Sequence, residues 1–131
     1  MNTAPTSNAT DKMILVVEDN LSARLALEAL LEVLGFRILS AGDADEAQAI
    51  FAMHGASIDL LISDMLLPRT NGPELYDLLK QQKPTLRCVL MSGYPLEEEG
   101  DRLRQHGIEH WVQKPFNVSD IKTLLDSLLG E

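Results

Sequence analysis

Five side chains able to do chemistry stand where short apolar runs end in this 131-residue chain. Glu18 and Asp19 follow Met13–Val17, Asp64 follows Ile58–Ser63, Ser92 follows Leu86–Met91, and Lys114 follows His110–Gln113. Three carboxylates brought to one place make a hard-oxygen site suited to Mg²⁺ with several waters kept. A lysine ammonium is a compact positive charge suited to an anionic oxygen, and a serine hydroxyl donates a hydrogen bond to another. Singly, each residue has an ordinary explanation. Glu18-Asp19 could be a solvated helix start, Asp64 a turn residue and Ser92 a cap, and Lys114 a surface lysine. Their meaning depends on whether the fold brings the run ends together.

The elements between them say that it does. Continuous apolar runs of this length suit strands buried on both faces of a parallel sheet; Arg37–Ala41 supplies a fifth, weaker one. Helical patterns alternate with the runs. Segment 20–34 starts at Asn20, stops at Gly35, and shows Arg24, Glu28 and Glu32 as one solvent stripe. Segment 43–54 has a capping-box-like start and buries Ala47, Ile50 and Phe51. Segment 73–82 places Pro73 in its first turn. Segment 95–106 opens on Pro95 and Glu97-Glu98-Glu99, which suits a helix N-terminus. Segment 117–129 sets Val118, Ile121, Leu124, Leu125 and Leu128 on one face. Five strand–helix units in strict alternation predict an α/β domain, a doubly wound parallel sheet with helices on both faces. In such a sheet ligands bind at the carboxyl ends of the strands, where the five residues stand.

With the set assembled, a family resemblance follows. Leu60–Gly72, with Pro68 and Gly72 four and eight residues after Asp64, resembles the phosphoacceptor region of response-regulator receiver domains. Val16-Val17-Glu18-Asp19-Asn20 resembles their acidic pocket, Leu90-Met91-Ser92-Gly93-Tyr94 their switch strand, and Lys114-Pro115-Phe116 their terminal motif. The resemblance covers residues 12–129. It implies a CheY-like sheet of strand order 2-1-3-4-5 with five helices, and a receiver domain over 12–130 behind a flexible polar tail, 1–11. It implies that Asp64 accepts a phosphoryl group from a histidine kinase or phosphotransfer protein, in a two-component phosphorelay. Asp19, Asp64, the backbone carbonyl of Leu66 and, directly or through water, Glu18 then hold Mg²⁺. Lys114 and Ser92 face phosphoryl oxygens, Ser92 and Trp111 form the switch, and Met65, Gly93, Tyr94 and Pro115 rim the pocket. The Lys114-Pro115 bond is typically cis in the family. The acidic pair is Glu-Asp rather than Asp-Asp, the hydroxyl is Ser rather than Thr, and Trp111 stands where Tyr or Phe is common. The implied output is a conformational change read by a downstream protein, with no separate enzymatic substrate.

Rival functions lack their residues. A haloacid-dehalogenase-like phosphatase needs a second Asp two residues after its nucleophile, where this chain has Leu66. A toprim-like nuclease wants paired aspartates there. A flavodoxin-like carrier needs a Ser/Thr/Gly phosphate loop where Glu18-Asp19-Asn20 would repel phosphate, and no G-x-G-x-x-G or Walker loop occurs. A degenerate receiver is disfavoured by the retained Asp19, Asp64, Ser92 and Lys114. Twenty acidic against eleven basic residues, net −9, argue against direct nucleic-acid binding and anionic membranes. The longest apolar stretch, 21–34, is too short and charged for membrane insertion, and residues 1–10 have neither basic nor apolar character of a signal peptide. The single Cys88 reads as a small buried hydrophobe in a reducing, cytoplasmic setting. His106 and His110 are separated by Gly107, so a shared metal is not expected.

Overall fold

A strand surrounded on both faces must be apolar throughout, and Met13–Val17 (β1) is buried from Ile14 to Val17. The computed structural model describes residues 11–129. After β1 come Leu21–Val33 (α1), Arg37–Ala41 (β2), Ala44–His54 (α2), Leu60–Asp64 (β3), Gly72–Gln82 (α3), Arg87–Ser92 (β4), Gly100–Gln105 (α4), His110–Gln113 (β5) and Val118–Leu129 (α5). The five strands are all parallel, as the alternation predicts, in the order β2-β1-β3-β4-β5 that the resemblance implies. β3 and β4 each begin and end slightly later than their apolar runs, so Asp64 and Ser92 are the last residues of their strands. The expected tail falls on residues 1–10, outside the described residues, and on Asp11.

Side chains alternate across a strand, and β1 feeds two cores. Ile14 and Val16 pack with Leu27 and Leu31 of α1 and with Ile121 and Leu125 of α5. Leu15 and Val17 pack with Phe51 of α2, Leu75 and Leu79 of α3, and Leu103 of α4. Helices therefore cover both faces: α1 and α5 on one, α2, α3 and α4 on the other. Ile50 and Leu124 are half-buried, and Val118 is 50% exposed, because it opens α5 beyond the edge of the core. Cys88 is buried, and burial pushes its thiol up.

Four helices start at side-chain caps, each satisfying a backbone N–H that has no intrahelical partner. Asn20 accepts from the Ala23 N–H at 2.8 Å, Asp43 from Glu46 at 2.8 Å, Asn71 from Glu74 at 2.9 Å and Asn117 from Asp120 at 2.8 Å. α1 ends at Gly35, whose φ of 99° suits a residue without Cβ. α4 has no side-chain cap, and here the expectation of a helix over 95–106 is corrected. Residues 93–96 are a loop, Glu97–Glu99 form one 3₁₀ turn, and only six residues are α-helical. The reason is a local competition: Ser92 Oγ donates to the Tyr94 carbonyl at 2.6 Å and accepts from the Tyr94 N–H at 3.0 Å, holding the chain in a turn just before the segment expected to be helical.

Between β3 and α3, Leu66–Leu67 pairs with Thr70–Asn71 around Pro68-Arg69, with Arg69 at φ 67°. The chain then passes so close to β3 that a Cβ at Gly72 would lie 2.6 Å from the Asp64 carbonyl oxygen and 2.7 Å from a Leu90 methyl. Neither neighbour can withdraw without moving β3 or the core. Gly72→Ala is therefore expected to cost about 1–3 kcal/mol by overpacking, read as a lower urea midpoint at unchanged slope. Gly93→Ala, where nothing lies within 4 Å of a new Cβ, should change stability by less than about 0.5 kcal/mol. Equal effects at the two sites would contradict this packing.

Candidate functional site

The carboxyl ends of β1, β3, β4 and β5 converge on one cavity of about 340 Å³, lined by Glu18, Asp19, Asp64, Met65, Leu66, Met91, Ser92, Gly93, Tyr94 and Lys114. Glu18 and Asp64 are 3% and 7% exposed, whereas Asp19 is open to solvent. One oxygen of each of Glu18, Asp19 and Asp64 falls within 4.8 Å of the others, the one cluster of three or more potential metal ligands among the described residues. Only oxygen donors are present, at mixed exposure, a set that fits a hard divalent cation keeping part of its water. Lys114 reaches in from the end of β5, its Nζ 2.5 Å from Glu18 Oε1 and 2.8 Å from Asp64 Oδ1. The Lys114-Pro115 bond is cis.

Burial and crowding set the protonation. Burial raises Asp64, the hydrogen bond with Glu18 raises it further, and Lys114 only partly opposes them, so its pKa is pushed up to about 7. Burial acts the same way on Glu18, but hydrogen bonds from Asp64, Lys114 and the Asn20 N–H outweigh it and hold Glu18 below the usual carboxylate value. Burial opposes the charge on Lys114, yet contacts with Asp64 and Glu18 prevail and hold it above the usual lysine value. Two carboxylates sharing one ammonium behave as a coupled pair in which Asp64 takes up the proton first.

The response regulator receiver domain model matches residues 14–126. The chain belongs to that family. The receiver domain superposes on a response regulator receiver domain of Clostridium thermocellum with a TM-score of 0.84, at 24% identity over 91% of this chain and 94% of that one, a likeness of fold. It is similar to the Thermotoga maritima response regulator TrrA, crystallised with Mg²⁺ and a beryllium fluoride, at 27% identity and TM-score 0.77 over 89% of this chain and 98% of that one. Sensor kinase CckA of Brucella abortus is 26% identical over 116 residues, 88% of this chain but 12% of that protein. The chain spans half or less of the length of the curated relatives it first matches.

Of the residues expected at the receiver site, the structure brings Glu18, Asp19, Asp64, Leu66, Ser92 and Lys114 together, with Met65, Gly93 and Tyr94 around them. Pro115 departs from expectation: it lines a neighbouring apolar groove with Ala23, Ala26, Leu27, Leu30 and Phe116, on the α1 side of Lys114. Trp111 lies outside the cavity, half-buried against the core under α2, α3 and α4. Met91, read only as part of the switch strand, also lines the cavity; inside an apolar run it looks like any core residue. The structure also corrects Arg24. Instead of a solvent stripe it is half-buried, and its Nη1 donates to the backbone carbonyl of Glu18 at 2.9 Å. A side chain aimed at a main-chain oxygen leaves no paired residue in the sequence to reveal it.

The raised Asp64 makes stability depend on pH. The folded receiver binds this proton more tightly than the unfolded chain, so folding strengthens as pH falls through about 7 toward 4 and the penalty is complete above 7. Glu18, shifted down, contributes the opposite trend only below its unfolded value near 4.5. Metal-free protein should therefore unfold at a higher denaturant midpoint at pH 5.5 than at pH 8 (buffer values chosen on either side of ~7). Asp64→Asn should flatten that difference and add about 1–3 kcal/mol at pH 8. A wild-type profile without slope between the two buffers would refute the assignment.

Proposed function

We propose that Asp64 is the phosphate acceptor of this receiver domain, working with Mg²⁺ held by Glu18, Asp19, Asp64 and the carbonyl of Leu66. The observation that carries this reading is the contact of the buried Asp64 carboxylate with Lys114 inside a cavity that also holds Glu18 and Asp19. Mg²⁺ and beryllium fluoride in the complex of the similar Thermotoga regulator support the metal and the phosphoryl class of ligand. When bound, Mg²⁺ supplies charge neutralisation that lets one anion approach another.

The rest is the work of side chains. An Asp64 oxygen attacks phosphorus, an O–P bond forms, and the P–N bond to a donor phosphohistidine breaks. The imidazole leaves with the electron pair and is protonated. Lys114 exchanges its carboxylate partners for a phosphoryl oxygen. Ser92 gives up Tyr94 and donates its hydroxyl to another oxygen, which reshapes the turn at 92–96 and lets Trp111, opposite Leu90 on the neighbouring strand, repack. The donor is a histidine kinase or phosphotransfer protein, the reader a downstream protein, and the setting cytoplasmic. No helix of the described residues is long and apolar enough to cross a membrane. The domain catalyses only its own phosphorylation and dephosphorylation.

Incubation with acetyl phosphate and Mg²⁺ should add one phosphoryl mass and change the emission of Trp111, the only tryptophan. Asp64→Asn should do neither. Full labelling of that variant would overturn the reading, and undiminished labelling in excess chelator would remove the metal from it.

The phosphorylated form is expected to be long-lived. Leu66 and Tyr94, 62% and 39% exposed, flank the cavity that holds Asp64, and neither carries a carboxylate or amide to orient an attacking water. Leu66→Asn with Tyr94→Glu should speed loss of phosphate on the order of 10²-fold with Mg²⁺ affinity unchanged. An unaltered lifetime would reject shielding and leave the acceptor in place.

A further inference from the structure

Every polar group of Glu18 is engaged, and its partners Ala41, Asn20 and Arg24, unlike Lys114, do not line the cavity. Its N–H donates to the Ala41 carbonyl at 3.1 Å, its Oε2 accepts from the Asn20 N–H at 3.1 Å, and its Oε1 takes Lys114. Its own carbonyl accepts from Arg24 Nη1 at 2.9 Å. The bond bridges the loop between β1 and α1: Arg24 sits one turn into α1, and its N–H bonds the Asn20 carbonyl at 2.9 Å. The guanidinium thereby ties the helix back to the peptide joining Glu18 to Asp19.

Gly42 makes room for it. A Cβ there would lie 2.7 Å from Arg24 Nη1 and 3.7 Å from Glu46 Oε1, and Glu46 is already held by the Gly42 N–H at 2.8 Å. The backbone just after β2 thus forms a seat for the guanidinium. Rotation of the Glu18–Asp19 peptide would swing both side chains off the cavity, and the fixed guanidinium opposes it. An arginine charge beside that carbonyl also offsets part of the repulsion among three carboxylates whose oxygens lie within 4.8 Å.

We infer that Arg24, seated on Gly42, is a positioning residue for the acidic pocket, fixing the Glu18–Asp19 peptide so that both carboxylates face the cation. The inference rests on the metal-holding role proposed for Glu18 and Asp19. It acts on the main chain of a ligand residue, where partners that bond the ligating side chains directly lower metal affinity by ~10–100-fold when lost; the low end of that range is the expectation for Arg24.

The test is Mg²⁺ affinity by calorimetry on the whole chain, with denaturant midpoints measured beside it. Arg24→Met, which keeps the length and removes the donors, should weaken Mg²⁺ binding about tenfold. Arg24→Lys, which keeps one donor, should recover most of the loss. Gly42→Ala retains Arg24 but crowds the flexible end of its side chain, so it should fold and still weaken binding. A folded Arg24→Met binding Mg²⁺ within about twofold of wild type (less than the smallest loss expected of a ligand's partner) overturns the inference. So does a Gly42→Ala protein of unchanged affinity, which decides the matter if Arg24→Met does not fold. Lost stability with unchanged affinity marks Arg24 as packing alone. Asp19→Asn separates the two readings: undiminished Mg²⁺ binding there defeats the metal site itself, whereas normal binding in the Arg24 and Gly42 variants defeats only the positioning role.

Discussion

The ammonium of Lys114 between the carboxylates of Glu18 and Asp64 is the interaction on which the site depends. It ties the end of the fifth strand of the sheet to the ends of the first and third, across the fourth. Charges this buried lose hydration that their mutual attraction replaces only if the geometry is good. Here one cation serves two anions, and the residual misfit appears as the raised Asp64 and the lowered Glu18. The charge set is thus a frustrated one, held in place by a sheet that is stable for other reasons. Its two apolar cores flank the strands on either side and do not need the charges.

That frustration has a use. A site satisfied by its own residues would gain little from a cation or a phosphoryl group, because either would first have to displace good contacts. Lys114 is shared, Asp64 is easily protonated, and Asp19 is still exposed. Each is better satisfied when further charge arrives, so ligand binding and relief of strain act in the same direction. Ser92 is the contrary case. Its hydroxyl is already satisfied twice by Tyr94, as donor and acceptor, and its engagement with a phosphoryl oxygen must disrupt a formed turn. The turn runs into α4, the shortest helix and the one without a side-chain cap. Segments with few local contacts open at low cost, so the exchange at Ser92 falls where the fold offers least resistance.

Much of this is legible in the sequence because the determinants are local. β1, β2 and β5 match their runs because a turn or cap residue bounds each of them closely in sequence, and Asn20, Asp43, Asn71 and Asn117 announce helix starts through bonds three residues away. The strand ends then place Glu18, Asp19, Asp64, Ser92 and Lys114 before any side chain is seen. What stays hidden depends on contacts distant in sequence or made to the main chain. Pro95 and three glutamates read as a helix start, but Ser92 holds the preceding chain in a turn. Arg24, Glu28 and Glu32 recur every four residues like a solvent face, but Arg24 finds the carbonyl of Glu18. Pro115, next to Lys114 in sequence, faces the groove beside α1 because Lys114 itself turns toward the carboxylates.

The same sheet edge connects two surfaces that a signalling domain must keep distinct. On the α1 side lie the groove at Pro115 and Phe116 and the arginine that fixes Glu18. On the α4 side lie the Ser92 turn and Trp111. The backbone joins them directly: the Lys114 N–H donates to the Ser92 carbonyl at 2.7 Å, and the Met65 N–H to the Met91 carbonyl at 2.8 Å. On the function proposed above, a displacement of Ser92 toward a phosphoryl group would therefore pull on Lys114 and on the strand that carries Asp64. Two sites are energetically coupled when both bias one two-state element; on the reading proposed for Asp64, the Ser92 turn is the element that would change, because the hydroxyl's two bonds to Tyr94 are what a phosphoryl oxygen would replace. The other half of the site, from β1 through Arg24, is held by backbone and guanidinium bonds rather than by an exchangeable hydroxyl, so on that reading a change at Asp64 would be expressed first on the α4 face.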